Sequence, residues 1–423
     1  MKFFKLSIRS FAAGTLLFSV VLYVQEPSPA ANALQEQSDE VPVFEFDPTW
    51  PKRPLPNQWI FGNIAGVDVD EQDQIWVLHR GLTIPLDLGD NNAAQDPPVG
   101  ECCRSAPSIV VFDQEGNVLQ AWGGPDSANP KSKRAAEGYD WPREHGLFVD
   151  HNNNVWIGCD EGSQNEVISS ENCATVTKFT QNGQLIFQKG KFGQSQGNTD
   201  TNNFNSPSSI FVDPNTNEAF IADGYRNQRV IVIDAETGEF KRLWGAYGNP
   251  NPEDIPRAQR GHRGEFTEKS REEQLEYDPT DPARKVFGDS VHCIELSRDG
   301  LVYVCDRGYN RIQVFERDGT FVREGFVAPQ TRIYGSVFDI AFSPDPNQRF
   351  LYVADGANHK VHILRRNDLT VVGSFGNGGR AGGEFGVAHQ LASDSEGNLY
   401  VGETVNRNRI QKFKFVGMRQ PGS

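Results

Sequence analysis

The sequence predicts an all-β fold, a six-bladed β-propeller with four antiparallel strands per blade. Three observations predict it. One unit recurs six times along the chain. Each unit is a set of short alternating strands joined by acidic or glycine-containing turns. A spare strand near the N-terminus complements a strand missing near the C-terminus. Radial repetition of four-stranded units is the architecture such a pattern builds.

Four copies of the unit are clear. They begin at Ser209 (SIFVDPNTNEAFIADGYRNQRVIVID), Cys293 (CIELSRDGLVYVCDRGYNRIQVF), Asp339 (DIAFSPDPNQRFLYVADGANHKVHIL) and Gln390 (QLASDSEGNLYVGETVNRNRIQKF). Two degenerate copies begin at Gly66 and Gly146. Each copy supplies three strands with period-2 alternation. A fourth follows most of them after a polar turn, as in DQEGNVLQAWGG, TQNGQLIFQKG, AETGEFKRLWG and ERDGTFVREGF. The last copy has only three strands before Gly417. The segment VPVFEFD from Val41 is expected to complete it, closing the ring and leaving no open edge. The propeller is thus assigned to residues 41–417, with 418–423 as a short tail.

A chain of 423 residues is long for one compact domain, but each blade adds core without forcing a split. Net charge is −15, and no Lys/Arg-rich run follows the N-terminus. Nucleic acid and anionic membrane surfaces are therefore excluded as partners. Residues 1–33 open on MKFFKLSIRS and an apolar run, and Ala31-Asn32-Ala33 offers a small-x-small cleavage site. This reads as a signal peptide, with an uncleaved N-terminal anchor as the alternative. The expected location is secreted, periplasmic or extracellular. Six cysteines in an exported chain permit disulfides. Cys159 and Cys173 flank one loop and can close it. Cys293 and Cys305 lie on two strands of one hairpin and can face each other. The pairing of Cys102 and Cys103 is open.

Loop lengths are asymmetric. Turns between strands one and two, and three and four, are uniformly short. The connections at the other end carry long insertions at 81–107, 124–143, 161–174, 190–207 and 248–289. Long insertions gathered on one face predict a walled site there.

The residue just before each first strand forms one register. In blade order it is Ala65, His145, Ser208, His292, Phe338 and His389. Histidine occupies alternate blades only. Sixfold symmetry places the three imidazoles about 120° apart at one height in the channel. The chain has eight histidines in all, so this register is not an expected accident. Three protein nitrogens plus an open position suit zinc. The other five, His79, His151, His262, His359 and His362, fit no such set.

The runs DGYRNQR from Asp223 and DRGYNR from Asp306 resemble the NHL-repeat propellers. Within them, HGLFVD, HCIEL and AHQLASDSEGNLYVGE resemble the zinc-histidine strands of the peptidyl-α-hydroxyglycine α-amidating lyases. That resemblance implies zinc on His145, His292 and His389. It implies Tyr225, in the DGY-x-N-x-R stretch, as the base. It implies Arg80 in LHRG and Arg307 in CDR as the arginines of the site. It also implies a structural calcium held by the backbone carbonyls of Val67 and Leu147. The family places an aspartate after the third histidine for that ion, and this chain has Gln390. The family's methionine near that histidine is Val387, and its cysteine after the tyrosine is Arg226.

The function implied is a zinc-dependent lyase that cleaves a peptidyl-α-hydroxyglycine-like carbinolamide to an amide and glyoxylate. Its partner is a small-molecule or peptide substrate, and a closed ring with no free edge is expected to be monomeric. The alternative is a non-catalytic propeller whose loop-rich face binds a protein, peptide or glycan. A lactonase-like hydrolase is disfavoured, because hard cations take oxygen ligands and this set is all imidazole.

Overall fold

The computed structural model describes residues 40–81, 103–124, 141, 144–159, 174–191, 193–254, 285–332, 334–405 and 407–420. The signal segment, Cys102, Cys173, His262 and much of the long loops lie outside the described residues. The described chain forms six four-stranded antiparallel sheets and one small two-stranded sheet.

The inner strands run Asn63–Val69, Glu144–Val149, Pro207–Asp213, Val291–Leu296, Asp339–Phe342 and Val387–Ser393. Each packs beside the next around the channel, and the sixth packs beside the first. The sixth sheet is completed by Val41–Phe46, antiparallel to the C-terminal strand Ile410–Arg419. The ring closes as expected, and the last strand runs two residues past the expected boundary at Gly417. Apolar clusters fill the wedges between neighbouring blades, one of them uniting Ile294 and Val304 with Phe220 and Val232.

Two side-chain devices recur. In blades one, two and six, an aspartate in the first turn accepts a hydrogen bond from an aromatic of the second strand. The pairs are Trp76 to Asp70 at 2.8 Å, Trp156 to Asp150 at 2.9 Å and Tyr400 to Asp394 at 3.0 Å. The acid ending the second strand pairs with the arginine opening the third. Asp223–Arg229 meet at 2.9 Å, Asp306–Arg311 at 2.7 Å and Glu403–Arg409 at 2.5 Å. Each arginine then reaches the loop entering its own blade. Arg229 donates to the carbonyls of Asn198, Asp200 and Asn203. Arg311 donates to Val286, and Arg409 to Arg380 and Glu384. The Asp-Gly-x-x-Asn-x-Arg pattern is therefore a loop anchor, fixing site-face connections to a rigid blade.

Cys293 and Cys305 are directly opposed and disulfide-bonded. Cys103 and Cys159 each take part in a disulfide of their own, with partners that lie outside the described residues. A short parallel pair, Trp59–Ile60 with Arg104–Ser105, braces the loop-rich face beside blade one. Nothing in the repeat pattern signals it.

Candidate metal centre

Period-2 alternation alone would not aim the register residues at the axis. A β-bulge does. In blades one, three, four and six the ladder skips one inner-strand residue, and it is Ala65, Ser208, His292 and His389. In blade two the skipped residue is Gly146, directly after His145. Bulges bend a strand and re-aim its side chains. The register residues of blades one, two, three, four and six thus lie inside the inner strands rather than just before them, while Phe338 of blade five directly precedes its strand. Gly146 sits at φ +66, and a Cβ there would lie 2.4 Å from the Ser208 carbonyl oxygen. Glycine is required at that bulge.

The three histidine rings form a nearly equilateral triangle, with centroids 4.9, 5.0 and 5.1 Å apart. All three are buried, and their ligand atoms lie within 4.8 Å of one another. Among the described residues this is the one group of three His, Cys, Asp or Glu side chains placed to hold an ion. The Nδ1 of His145 donates to the Ser208 carbonyl at 2.7 Å, and that of His292 to the Phe338 carbonyl at 2.5 Å. A carbonyl only accepts, so both protons sit on Nδ1 and both Nε2 lone pairs face inward. Such outer partners fix the tautomer of metal-binding histidines. His292 is held neutral, its pKa well below the ordinary value. Burial is the largest cause, followed by the charge on Arg307 and the two neighbouring histidines.

Tyr225 stands against this triangle. Its hydroxyl lies 2.8 Å from His145 Nε2 and 2.9 Å from His292 Nε2. A phenol has one proton and meets two lone pairs, so one contact is repulsive as it stands. A cation among the nitrogens removes that conflict, and the donor set, its burial and its tautomers fit one.

Arg307 lies over Tyr225 and Phe338, its guanidinium carbon 5.4 and 4.7 Å from the two ring centres. It is buried and donates to Ser290 Oγ at 2.8 Å. Its Nε has no hydrogen-bond partner, and no carboxylate pairs with it among the described residues. A buried cation in that state is prepared for an anion. Arg80 ends the second strand of blade one, buried, with Nε donating to the Glu144 carbonyl at 2.7 Å. Blades one and four are opposite each other, so the two arginines face the triangle from opposite sides.

The remaining histidines divide as the sequence suggested. His79 accepts from the Gly62 amide and donates to the Pro107 carbonyl, both at 3.0 Å, and burial lowers its pKa to about 4. His362 pairs with Asp355 at 2.9 Å, and His359 bonds the Gly386 carbonyl. His151 contacts Asn152.

Val67, Leu147 and Gln390 lie toward the other mouth, lining a cavity of about 300 Å³. Asp68, Glu295 and Asp339 line it too. Burial, with mutual repulsion, raises Asp68 to about 7, Asp339 to about 8, and Glu295 well above its ordinary value. Sequence reasoning missed these carboxylates, because no single register of the repeat collects all three: Asp68 and Glu295 share one and Asp339 occupies another.

No family model matches the chain. Mouse NHL repeat-containing protein 3 is 26% identical over 395 residues, 88% of this chain and 85% of that protein. The Xenopus laevis peptidyl-glycine alpha-amidating monooxygenase A is 23% identical over 389 residues, 90% of this chain and 34% of that protein. The rat peptidylglycine alpha-amidating monooxygenase is 23% identical over 370 residues, 83% of this chain and 30% of that protein. The chain thus spans about a third of the length of those amidating enzymes. Among solved structures, a streptogramin B lyase shares 13% identity over 88% of this chain and 97% of that chain, with a TM-score of 0.47. With six four-stranded blades, the loop-anchoring motif and these relatives, the chain is an NHL-type β-propeller that resembles the amidating enzymes.

Proposed function

We propose that the protein is an exported, zinc-dependent lyase that cleaves a peptidyl-α-hydroxyglycine-like carbinolamide to an amide and glyoxylate. One observation carries the reading: a buried tyrosine hydroxyl shared between two inward Nε2 lone pairs, beneath an arginine with no carboxylate partner among the described residues. Likeness to amidating monooxygenases over most of the chain supports it. His145, His292 and His389 would hold the metal, and neutral imidazoles suit zinc. When bound, zinc acidifies a coordinated hydroxyl.

The chain's own residues supply the rest. Arg307 holds the substrate carboxylate against the wall made by Tyr225 and Phe338. Arg80 steadies the oxygen-bearing end from the opposite side. Tyr225, as phenolate, takes the substrate's hydroxyl proton. The O–H electron pair becomes the new C=O bond and the C–N bond breaks toward nitrogen. The proton returns from Tyr225 to that nitrogen, giving the amide and glyoxylate. The calcium implied by the resemblance belongs to the same proposal. The Val67 and Leu147 carbonyls would hold it, with Asp68, Glu295 and Asp339 supplying charge where Gln390 supplies none.

The test is glyoxylate release from an α-hydroxyglycine peptide by the zinc-loaded protein. Turnover above the metal-free control is expected. A zinc-replete, folded protein that releases none contradicts the proposal. That result favours the second reading, a non-catalytic propeller that binds a protein, peptide or glycan on its loop-rich face.

A further inference from the structure

Asp289 precedes the inner strand of blade four and is 3% exposed. Among the described residues it is the one carboxylate whose oxygens are both covered and both without a hydrogen-bond partner. The acids that end second strands all accept one. Asp223 takes the Asn205 amide, Asp306 that of Gly288, Asp355 that of Asn358 and Glu403 that of Gly386. A buried charge with no donor is costly, and so rare an exception calls for a use.

Its place in the fold suggests one. Ser290, the next residue, holds Arg307 twice. Its carbonyl accepts from the Arg307 amide at 3.2 Å, and its Oγ from the guanidinium at 2.8 Å. Asp289 itself lies against Gly308, where a Cβ would come within 2.5 Å of the Asp289 amide nitrogen and carbonyl oxygen. The Val291 amide donates at 3.3 Å to the carbonyl of Gly224, the residue before Tyr225. Residues 289–291 thus touch the turns that carry Arg307 and Tyr225. Asp289 and Arg307 are opposite charges on neighbouring backbone, and each retains polar atoms without a partner.

An N-acyl-α-hydroxyglycine carries its carboxylate, its hydroxyl and its N–H on one carbon. In the proposed reaction Arg307 takes the carboxylate and Tyr225 the hydroxyl proton. The N–H then lacks an acceptor, because arginines only donate and the imidazole lone pairs belong to the metal.

We propose that Asp289 accepts the substrate's amide N–H, so that one guanidinium and one carboxylate read the two ends of an N-acylglycine unit. This rests on the lyase reading and names what that site selects. An ester in place of the amide would set an oxygen lone pair against a buried carboxylate, a mismatch that such sites reject strongly.

The test is calorimetry on the zinc-loaded protein with benzoylglycine and with benzoylglycolate, in which an ester oxygen replaces the N–H. Wild type is expected to bind benzoylglycine about tenfold or more tighter. Asp289→Leu should bind the two within a factor of about three of each other. Asp289→Asn keeps an acceptor oxygen and should keep part of the preference. Because Asp289→Leu removes an unpaired buried charge, it should melt no lower than wild type. A wild type with no preference overturns the proposal. So does a leucine variant that keeps the full preference, or one that melts well below wild type. A wild type that binds neither ligand instead overturns the lyase reading itself.

Discussion

Tyr225 and Arg307 each make contacts that a purely structural residue would not keep. A buried arginine normally finds a carboxylate, as Arg229 and Arg311 do here. Arg307 finds one serine hydroxyl and two aromatic faces. Its replacement by methionine should therefore leave stability nearly intact and raise KM for the hydroxyglycine substrate about 30-fold or more, with a smaller effect on kcat. Tyr225→Phe removes the proton acceptor and keeps the ring. Glyoxylate release should fall about 100-fold or more at unchanged metal content. Equal activity in that variant would remove tyrosine from the mechanism. His79 makes a contrasting prediction. Its folded pKa, about 4, lies below the ordinary imidazole value, so the folded state binds the proton less well than the unfolded one. Its contribution is full above pH ~6.5 and is lost as pH falls toward 4. Thermal melts of His79→Gln beside wild type across that window should show a shallower acid slope in the variant.

At the scale of the strand, the inner-strand bulge decides which side chains see the channel. Its consequence was legible and its cause was not. The alternation of histidine with Ala65, Ser208 and Phe338 is visible in the sequence once the repeats are aligned. No residue type marks a bulge, except glycine at Gly146, where the φ demands it. The same limit hid the carboxylates of the lower channel. Asp68 and Glu295 lie three residues past the register position and Asp339 one past it, so no single column of the repeat collects them. Their folded pKa values lie above the ordinary carboxylate value. The folded state thus holds these protons more tightly than the unfolded chain, and stability falls as pH rises from about 4 to about 8. Asp339→Asn should flatten that slope, recovering about 1–2 kcal/mol at pH 9 relative to pH 5. Added calcium should flatten the wild-type slope in the same way if that ion is held there. Urea melts at the two pH values measure both effects. The two-stranded brace of Trp59–Ile60 and Arg104–Ser105 was illegible for a simpler reason. Two residues per strand carry no periodicity.

For the whole molecule, the ring is what brings residues from blades one, two, three, four and six to one axis. The six-fold repeat, the closing strand and the loop-rich face could all be read from the chain. The distances that turn three histidines and a tyrosine into one site follow only from closure. Closure depends on Val41–Phe46, whose Phe44 and Phe46 pack on Phe375, Phe413 and Tyr352. Deleting residues 41–46 should expose the edge of the sixth sheet and drive aggregation, as read by light scattering. The closed ring brings three histidines of alternate blades to spacings that suit a transition metal. Plasma mass spectrometry of the purified protein, wild type beside His292→Ala, tests it most directly. One zinc or similar ion per chain is expected in wild type and none in the folded variant. A folded wild-type protein with no stoichiometric metal after zinc is supplied would contradict it.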